Sequence, residues 1–163
     1  MQKYIDFLKS KGAESAIVFK PSDIIYAEWA VMKCKYGCPM YGHNRCCPPF
    51  APDIEKMKRI AADYRTGILF TVDSMDKGTP LAVEAVGELF RNGYYKAIGF
   101  GTGPCRQCEK CTPEACPHPW TTAPSMEACG IDVLATAKAH GIDMQAFKND
   151  DKAPVCVGMI LIE

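Results

Sequence analysis

Neither sign of charge prevails in this chain of 163 residues. Lys and Arg together number 19, Asp and Glu together number 19, and the formal net charge is zero. That balance offers no global attraction to nucleic acid or to an anionic membrane surface, and neither is expected as a partner. Long apolar runs are missing too. The longest, Val155 to Ile162, falls far short of the ~20 residues that cross a bilayer. The N-terminal stretch, Met1 to Gly12, carries charges throughout and has no continuous apolar segment of the export-signal kind, so a cytoplasmic location is expected. The chain also lacks a Ser/His/Asp grouping, a paired-carboxylate motif and a P-loop, which argues against a hydrolase or a nucleotide enzyme. Gly99-x-Gly101-x-Gly103 is no exception, because it has neither GxGxxG spacing nor a helix after it. No repeat, linker or low-complexity segment divides residues 1–163, so a single domain is expected.

Cysteine, by contrast, is abundant. Of ten cysteines, eight fall in two tight groups, Cys34 to Cys47 and Cys105 to Cys116, with Cys129 and Cys156 apart. Clustered thiols in a chain without an export signal point to metal ligands rather than disulfides. The second group reads Gly103-Pro104-Cys105-Arg106-Gln107-Cys108-Glu109-Lys110-Cys111, then four residues, then Cys116-Pro117-His118-Pro119. Two intervening residues let a turn bring successive sulfurs to one side, and repeating the step presents three thiolates to one face of a four-iron cluster. Structural zinc favours paired CxxC knuckles set a dozen or more residues apart, so zinc is the less favoured alternative. The gap from Cys111 to Cys116 is one residue longer than in the bacterial ferredoxin run.

The first group reads Cys34-Lys-Tyr-Gly-Cys38-Pro-Met-Tyr41-Gly42-His43-Asn44-Arg45-Cys46-Cys47-Pro48-Pro49. It is not the CxxxCxxC of radical-SAM enzymes, since residue 41 is Tyr. Vicinal side chains in extended backbone point to opposite sides, so Cys46 and Cys47 are not expected to serve one cluster. Cys47, locked by two prolines, is the better ligand, and Cys46 also reads as a small buried thiol. The candidate metal ligands are therefore Cys34, Cys38, Cys46, Cys47, Cys105, Cys108, Cys111 and Cys116, and all but Cys46 form the preferred cluster-binding set. Two four-iron clusters need eight ligands, so Cys129, a side chain such as His118, or a solvent or substrate ligand stays open as the eighth. Cys156, inside an apolar strand, reads as core. His43 and His118 lie within the two groups, whereas His140 reads as a cation at a helix C-terminus. Lys33, Lys35, Arg45, Arg106 and Lys110 flank the thiols, where they would offset cluster charge or meet an acidic redox partner. Tyr36, Tyr41, Phe50 and Trp120 could shield a cluster from water.

Periodicity predicts helices over 2–11, 53–64 and 80–91, and one from Ser125 to about His140 closed by Gly141. Strands are predicted at Ala16 to Phe19, Ile24 to Met32, Gly67 to Val72, Tyr95 to Phe100 and Val155 to Ile162. Such alternation predicts an α/β fold with a mostly parallel sheet of four to five strands and flanking helices. Both cysteine loops would then leave the C-terminal ends of strands, after Met32 and after Phe100, and face each other on one rim.

Three motifs in order carry a resemblance: Cys38-Pro-x-Tyr41-Gly42 to Cys47-Pro-Pro, Gly103-Pro104-Cys105-x2-Cys108-x2-Cys111, and Pro124-Ser125-Met126-Glu127-Ala128-x-Gly130-Ile131-Asp132. Together they resemble a family of small predicted metal-binding proteins of anaerobic bacteria and archaea, a domain of unknown function, over essentially the whole chain. The resemblance implies an iron–sulfur or other metal site and supplies no reaction. The family usually has one Cys before the Pro pair and a second loop of variable length, so the extra Cys46 and the compact Cys111-to-Cys116 gap leave the fourth ligand of each site open. The expected function is an electron-transfer or redox module with one or two four-iron clusters and a redox partner protein, rather than a catalyst. An enzyme or metallochaperone with an open coordination position, using His43, His118 or Glu127, is the alternative, and a zinc-based interaction protein is the third.

Overall fold

The computed structural model describes residues 1–142 and 155–163. In chain order it contains α1 (Gln2–Ser10), β1 (Ser15–Phe19), α2 (Glu28–Gly37), α3 (Ile54–Ala62), β2 (Gly67–Val72), α4 (Met75–Arg91), β3 (Ile98–Phe100), α5 (Val133–Ala139) and β4 (Cys156–Leu161). Short 3-10 turns stand at Pro21–Asp23, Pro113–Ala115 and Glu127–Cys129.

The sheet has the order β1-β2-β4-β3, and every neighbouring pair is antiparallel. The expectation of a mostly parallel sheet is therefore overturned. Strands β2 and β3 do run the same way with α4 crossing between them, as the alternation of elements implies. Strand β4 then inserts between the two, a split βαβ arrangement, so each parallel pair is separated by an antiparallel neighbour. Adjacency is decided by which apolar faces fit, and local periodicity does not report it.

Both central strands are apolar along their length because both faces of the sheet are covered. On one face Leu69, Met159 and Leu161 pack with Met57 and Ala61 of α3, Ala137 of α5 and the buried Met126, Cys129 and Ile131. On the other, Ile68, Phe70, Val72 and Ile160 pack with Tyr4 and Leu8 of α1 and with Ala82, Ala85 and Leu89 of α4. The alternation along β2, Ile68 to one side and Leu69 to the other, is the strand period of two.

Four further predictions are corrected. Residues 24–32 are not a strand: Tyr26 makes one isolated bridge to Ile131, and α2 begins at Glu28. Glu28 in its first turn and Lys35 in its last suit the helix dipole, and Ala30, Met32, Lys33 and Lys35 are good helix formers. The helix expected from Ser125 is broken. Gly130, at φ +74, ends the 3-10 turn in the left-handed region, and Asp132 caps a new helix by accepting from the Ala135 N–H at 2.9 Å. The strand expected at Tyr95 to Phe100 is paired only over Ile98–Phe100. Helix α4 also starts earlier than Pro80, at Met75 behind the Ser74 N-cap.

The first cysteine group therefore rides on a helix and the second leaves a strand, so no shared rim of strand ends brings them together. Other contacts do.

Candidate metal centre

Helix α2 is held where it is by the segment before it. The Ala27 N–H donates to Gly130 O at 2.9 Å, and the Asp132 N–H donates to Ile25 O at 2.8 Å. Cys34 sits in the last turn and Cys38 caps it, its N–H donating to Cys34 O at 3.3 Å. The chain then folds back on itself. The Gly42 N–H donates to Pro48 O at 2.9 Å, the Cys47 N–H to Asn44 O at 3.0 Å, and the Ala51 N–H to Cys47 O at 3.0 Å. Gly42 takes φ +73, which this reversal requires and only glycine adopts at little cost. Asn44, Cys46, Cys47 and Pro48 are buried, so the first group has a defined shape of its own.

The second loop is clamped at its base. Gly101 bridges to Ser125 and its N–H donates to Pro124 O at 2.9 Å, joining the two ends of the loop. Helix α4 fits against this base without space to spare: a methyl on Gly78 would collide with Thr102, and one on Gly101 would collide with Thr79. Thr102 completes the joint by donating to Met75 O at 2.7 Å. The glycines before Cys105 thus serve close packing. Beyond the base, residues 105–121 are mostly exposed.

Asn44 joins the two groups. Its Oδ1 accepts from the Cys46 N–H at 2.9 Å, and its Nδ2 donates to Cys105 O at 2.8 Å. Arg45 adds two contacts: its backbone N–H donates to Cys111 Sγ at 3.4 Å, and its guanidinium donates to Pro113 O at 2.8 Å. Nothing in the sequence marks Asn44 as the joint. A buried amide between flanking loops has no periodicity to announce it; the one available hint was a turn-forming Asn beside a vicinal Cys pair.

The two vicinal thiols differ in their strongest electrostatic neighbours, with Cys105 acting on both. The Cys47 thiol lies among those of Cys38 and Cys34, with Cys46 and Cys105 further contributors, whereas the Cys46 thiol neighbours Cys105 and Cys111. Cys108 in turn neighbours Cys111, Cys116 and Cys105. Burial, reinforced by these neighbours, pushes both Cys46 and Cys47 up to about 12. Burial also raises Cys34, with further contributions from Cys38 and Glu127, and raises Cys108. Such thiols are protonated near neutrality, and a metal ion must displace their protons to bind. Two backbone N–H groups already point at sulfur, that of Arg45 at Cys111 and that of His118 at Cys116 (3.4 Å), the kind of donor that tunes a thiolate-bound metal.

The space enclosed by Asn44, Cys105, Cys108, Cys111, Cys116 and His118 is about 10 Å³, room for about one water. Among the described residues no three Cys, His, Asp or Glu side chains are placed to hold one metal ion. A zinc tetrahedron with bonds of about 2.3 Å would draw its sulfurs to within about 3.8 Å of one another. In donor chemistry the thiols fit a soft metal or an iron–sulfur cluster.

The other sequence candidates scatter. His43 is exposed in the first loop. His140 is elsewhere, its Nδ1 within 2.8 Å of Thr136 O and its ring edge-on to Phe19. Cys129 is fully buried and pushed up to about 12 by burial, with Glu127 and Cys46 adding to the shift. Cys156 is not plain core: it is part-exposed and lines a recess of about 310 Å³ with Trp29, Lys33, Gly103, Glu127 and Val133. Glu127 meets solvent at this recess but is enclosed by protein on its other sides, and that enclosure pushes its carboxyl above the usual carboxylate range.

No helix among the described residues is long and apolar enough to cross a membrane. No curated protein and no solved structure matches the chain. Residues 17–162, which take in both thiol groups and the joint between them, match the family described as "Predicted metal-binding protein (DUF2284)", and the chain belongs to that family.

Proposed function

We propose that this protein is an iron–sulfur protein that holds one or two four-iron clusters and works as a redox module. The observation that carries the reading is the meeting of the two cysteine groups, where Asn44 binds the Cys46 N–H and Cys105 O and the Arg45 N–H donates to Cys111 Sγ. Cys34, Cys38 and Cys47 would hold one cluster. Cys108, Cys111 and Cys116 would hold the other, with Cys46 and Cys105 at the boundary as the remaining ligands. A cluster supplies one-electron chemistry when bound. The chain contributes the thiolates, N–H donors to sulfur from Arg45 and His118, and the burial around Cys46 and Cys47 that keeps water away.

The test is an iron and acid-labile sulfide assay on anaerobically purified protein, joined to EPR of the reduced form. Brown protein with stoichiometric iron and sulfide is expected, and colourless protein holding zinc would refute the reading. Cys108→Ser should abolish cluster loading while Cys156→Ser leaves it intact; equal loss in both would undo the assignment of ligands.

A second reading has one observation in its favour. The recess beside α2 brings Glu127, Lys33 and Cys156 together next to Cys34, which suits an enzyme or metallochaperone with an open coordination position. A cluster spectrum that responds to small added ligands would select this reading over the electron carrier.

A further inference from the structure

Helix α2 is apolar on both faces. At 100° per residue, Ala30, Val31 and Cys34 share the side that packs on the Glu127–Cys129 turn, and Ala30 is buried there. Trp29, Met32, Lys33 and Tyr36 fall within an arc of about 100° on the opposite side. Their exposure is high: 45% for Trp29, 53% for Met32 and 73% for Tyr36. A helix with one face on a core ordinarily turns charge to water on the other, and α2 turns two large aromatic rings and a thioether outward instead.

Two cations frame this face. The Lys33 ammonium stands 5.1 Å from the Trp29 ring centre and that of Lys35 stands 5.5 Å from the ring of Tyr36. Neither forms an ion pair among the described residues, although Glu28 begins the same helix and Glu127 shares the recess with Lys33. An aromatic centre with a charged rim is the anatomy of a protein interface, and Trp and Tyr are the side chains that carry most binding energy there. The face also backs onto Cys34, so whatever sits on it comes within about one helix diameter, 10–12 Å, of that thiol.

We infer that the outer face of α2 is a docking surface for a small acidic electron-carrier protein. The inference rests on reading the thiol groups as cluster sites. Charge decides the occupant. Lys33 and Lys35 outnumber Glu28 on the helix, and a net-positive face does not favour a second copy of itself. Two lysines on a ten-residue helix also fall short of the ~4–8 basic residues that secure a segment to anionic lipid.

The experiment titrates anaerobically loaded protein with a small acidic ferredoxin, and separately with a flavodoxin, by calorimetry at low and high salt. Binding at low salt that weakens by about tenfold or more at high salt is expected. Trp29→Ala and the double variant Lys33→Glu/Lys35→Glu should each weaken binding by about tenfold, with unchanged circular dichroism because all three side chains are exposed. Equal binding by wild type and both variants would overturn the inference, as would no binding of either carrier. So would partition of wild type but not Trp29→Ala onto phosphatidylglycerol vesicles, or a dimer that Trp29→Ala abolishes. Protein that purifies without iron and sulfide sinks the cluster reading alone, and the same titration on metal-free protein still tests the face.

Discussion

The two cysteine groups are built on opposite plans. The first is a folded object: a helix end, a glycine-dependent reversal and a set of backbone hydrogen bonds bury Asn44, Cys46 and Cys47. The second is a loop fastened at its base by Gly101 and Ser125 and otherwise mostly exposed, with outward bonds to Asn44 and Arg45 of the first group and, through Arg106, to Asp76 of α4. The difference teaches a division of labour. The first group is expected to keep its shape without metal, and the second to take its final form when metal binds.

The largest effect expected is on the second loop. Trypsin should cut metal-free protein at Arg106 or Lys110 well before Lys35 or Arg45, and metal loading should slow the second-loop cuts by about tenfold or more. Mass spectrometry of the fragments reads this directly, and equal rates at the two groups would break the contrast. Next come the thiols. Cys47→Ser should lose loading and also lower the stability of the metal-free protein by about 1 kcal/mol or more, because a hydroxyl enters a buried site without a built partner. Cys108→Ser should lose loading with metal-free stability unchanged. Urea unfolding separates the two.

Asn44→Ala removes the joint itself. It strands the Cys46 N–H and Cys105 C=O, at a cost of about 1–3 kcal/mol in urea unfolding, and it should speed cleavage of the second loop further. Asn44→Asp keeps the acceptor for Cys46 and loses the donor to Cys105, so it should recover part of that loss.

The smallest effect lies away from both groups. Hydrogen bonds from the Arg91 and Asn92 side chains hold the Glu88 carboxyl below the usual carboxylate range. A folded-state value below the unfolded one means that Glu88 supports folding above the ordinary carboxylate value of about 4.3 and withdraws that support as pH falls through the lower folded value. Urea midpoints followed from neutral to acid pH should show a slightly shallower decline in Glu88→Gln, in loaded and metal-free protein alike. A dependence on loading would tie this helix face to the metal groups.

Much of the scaffold was legible in order along the chain. Gly67 to Val72 is predicted and observed with the same bounds, and Asp53 caps α3 where its apolar spacing begins. Residues 24–32 misled because Ile24, Ile25, Trp29 and Val31 look like a strand, whereas Glu28–Gly37 form a helix whose outward aromatics blur the usual one-sided pattern. The break at Gly130 was equally hidden, since a glycine one residue ahead of Ile131 and Asp132 reads as tolerated within a helix until its positive φ is seen.

The sequence by itself determined the inventory: ten thiols, eight of them in two runs whose spacing suits soft-metal chemistry, on a chain with apolar segments for a two-sided sheet. Only the tertiary structure decided the direction of the sheet, the placing of α2 with its aromatic face outward, and the joint that Asn44 makes between the two cysteine groups. Spacing and periodicity are properties of neighbours along the chain. Strand adjacency, burial and the meeting of thiols about 60 residues apart arise when distant apolar faces and buried polar groups must all be satisfied at once.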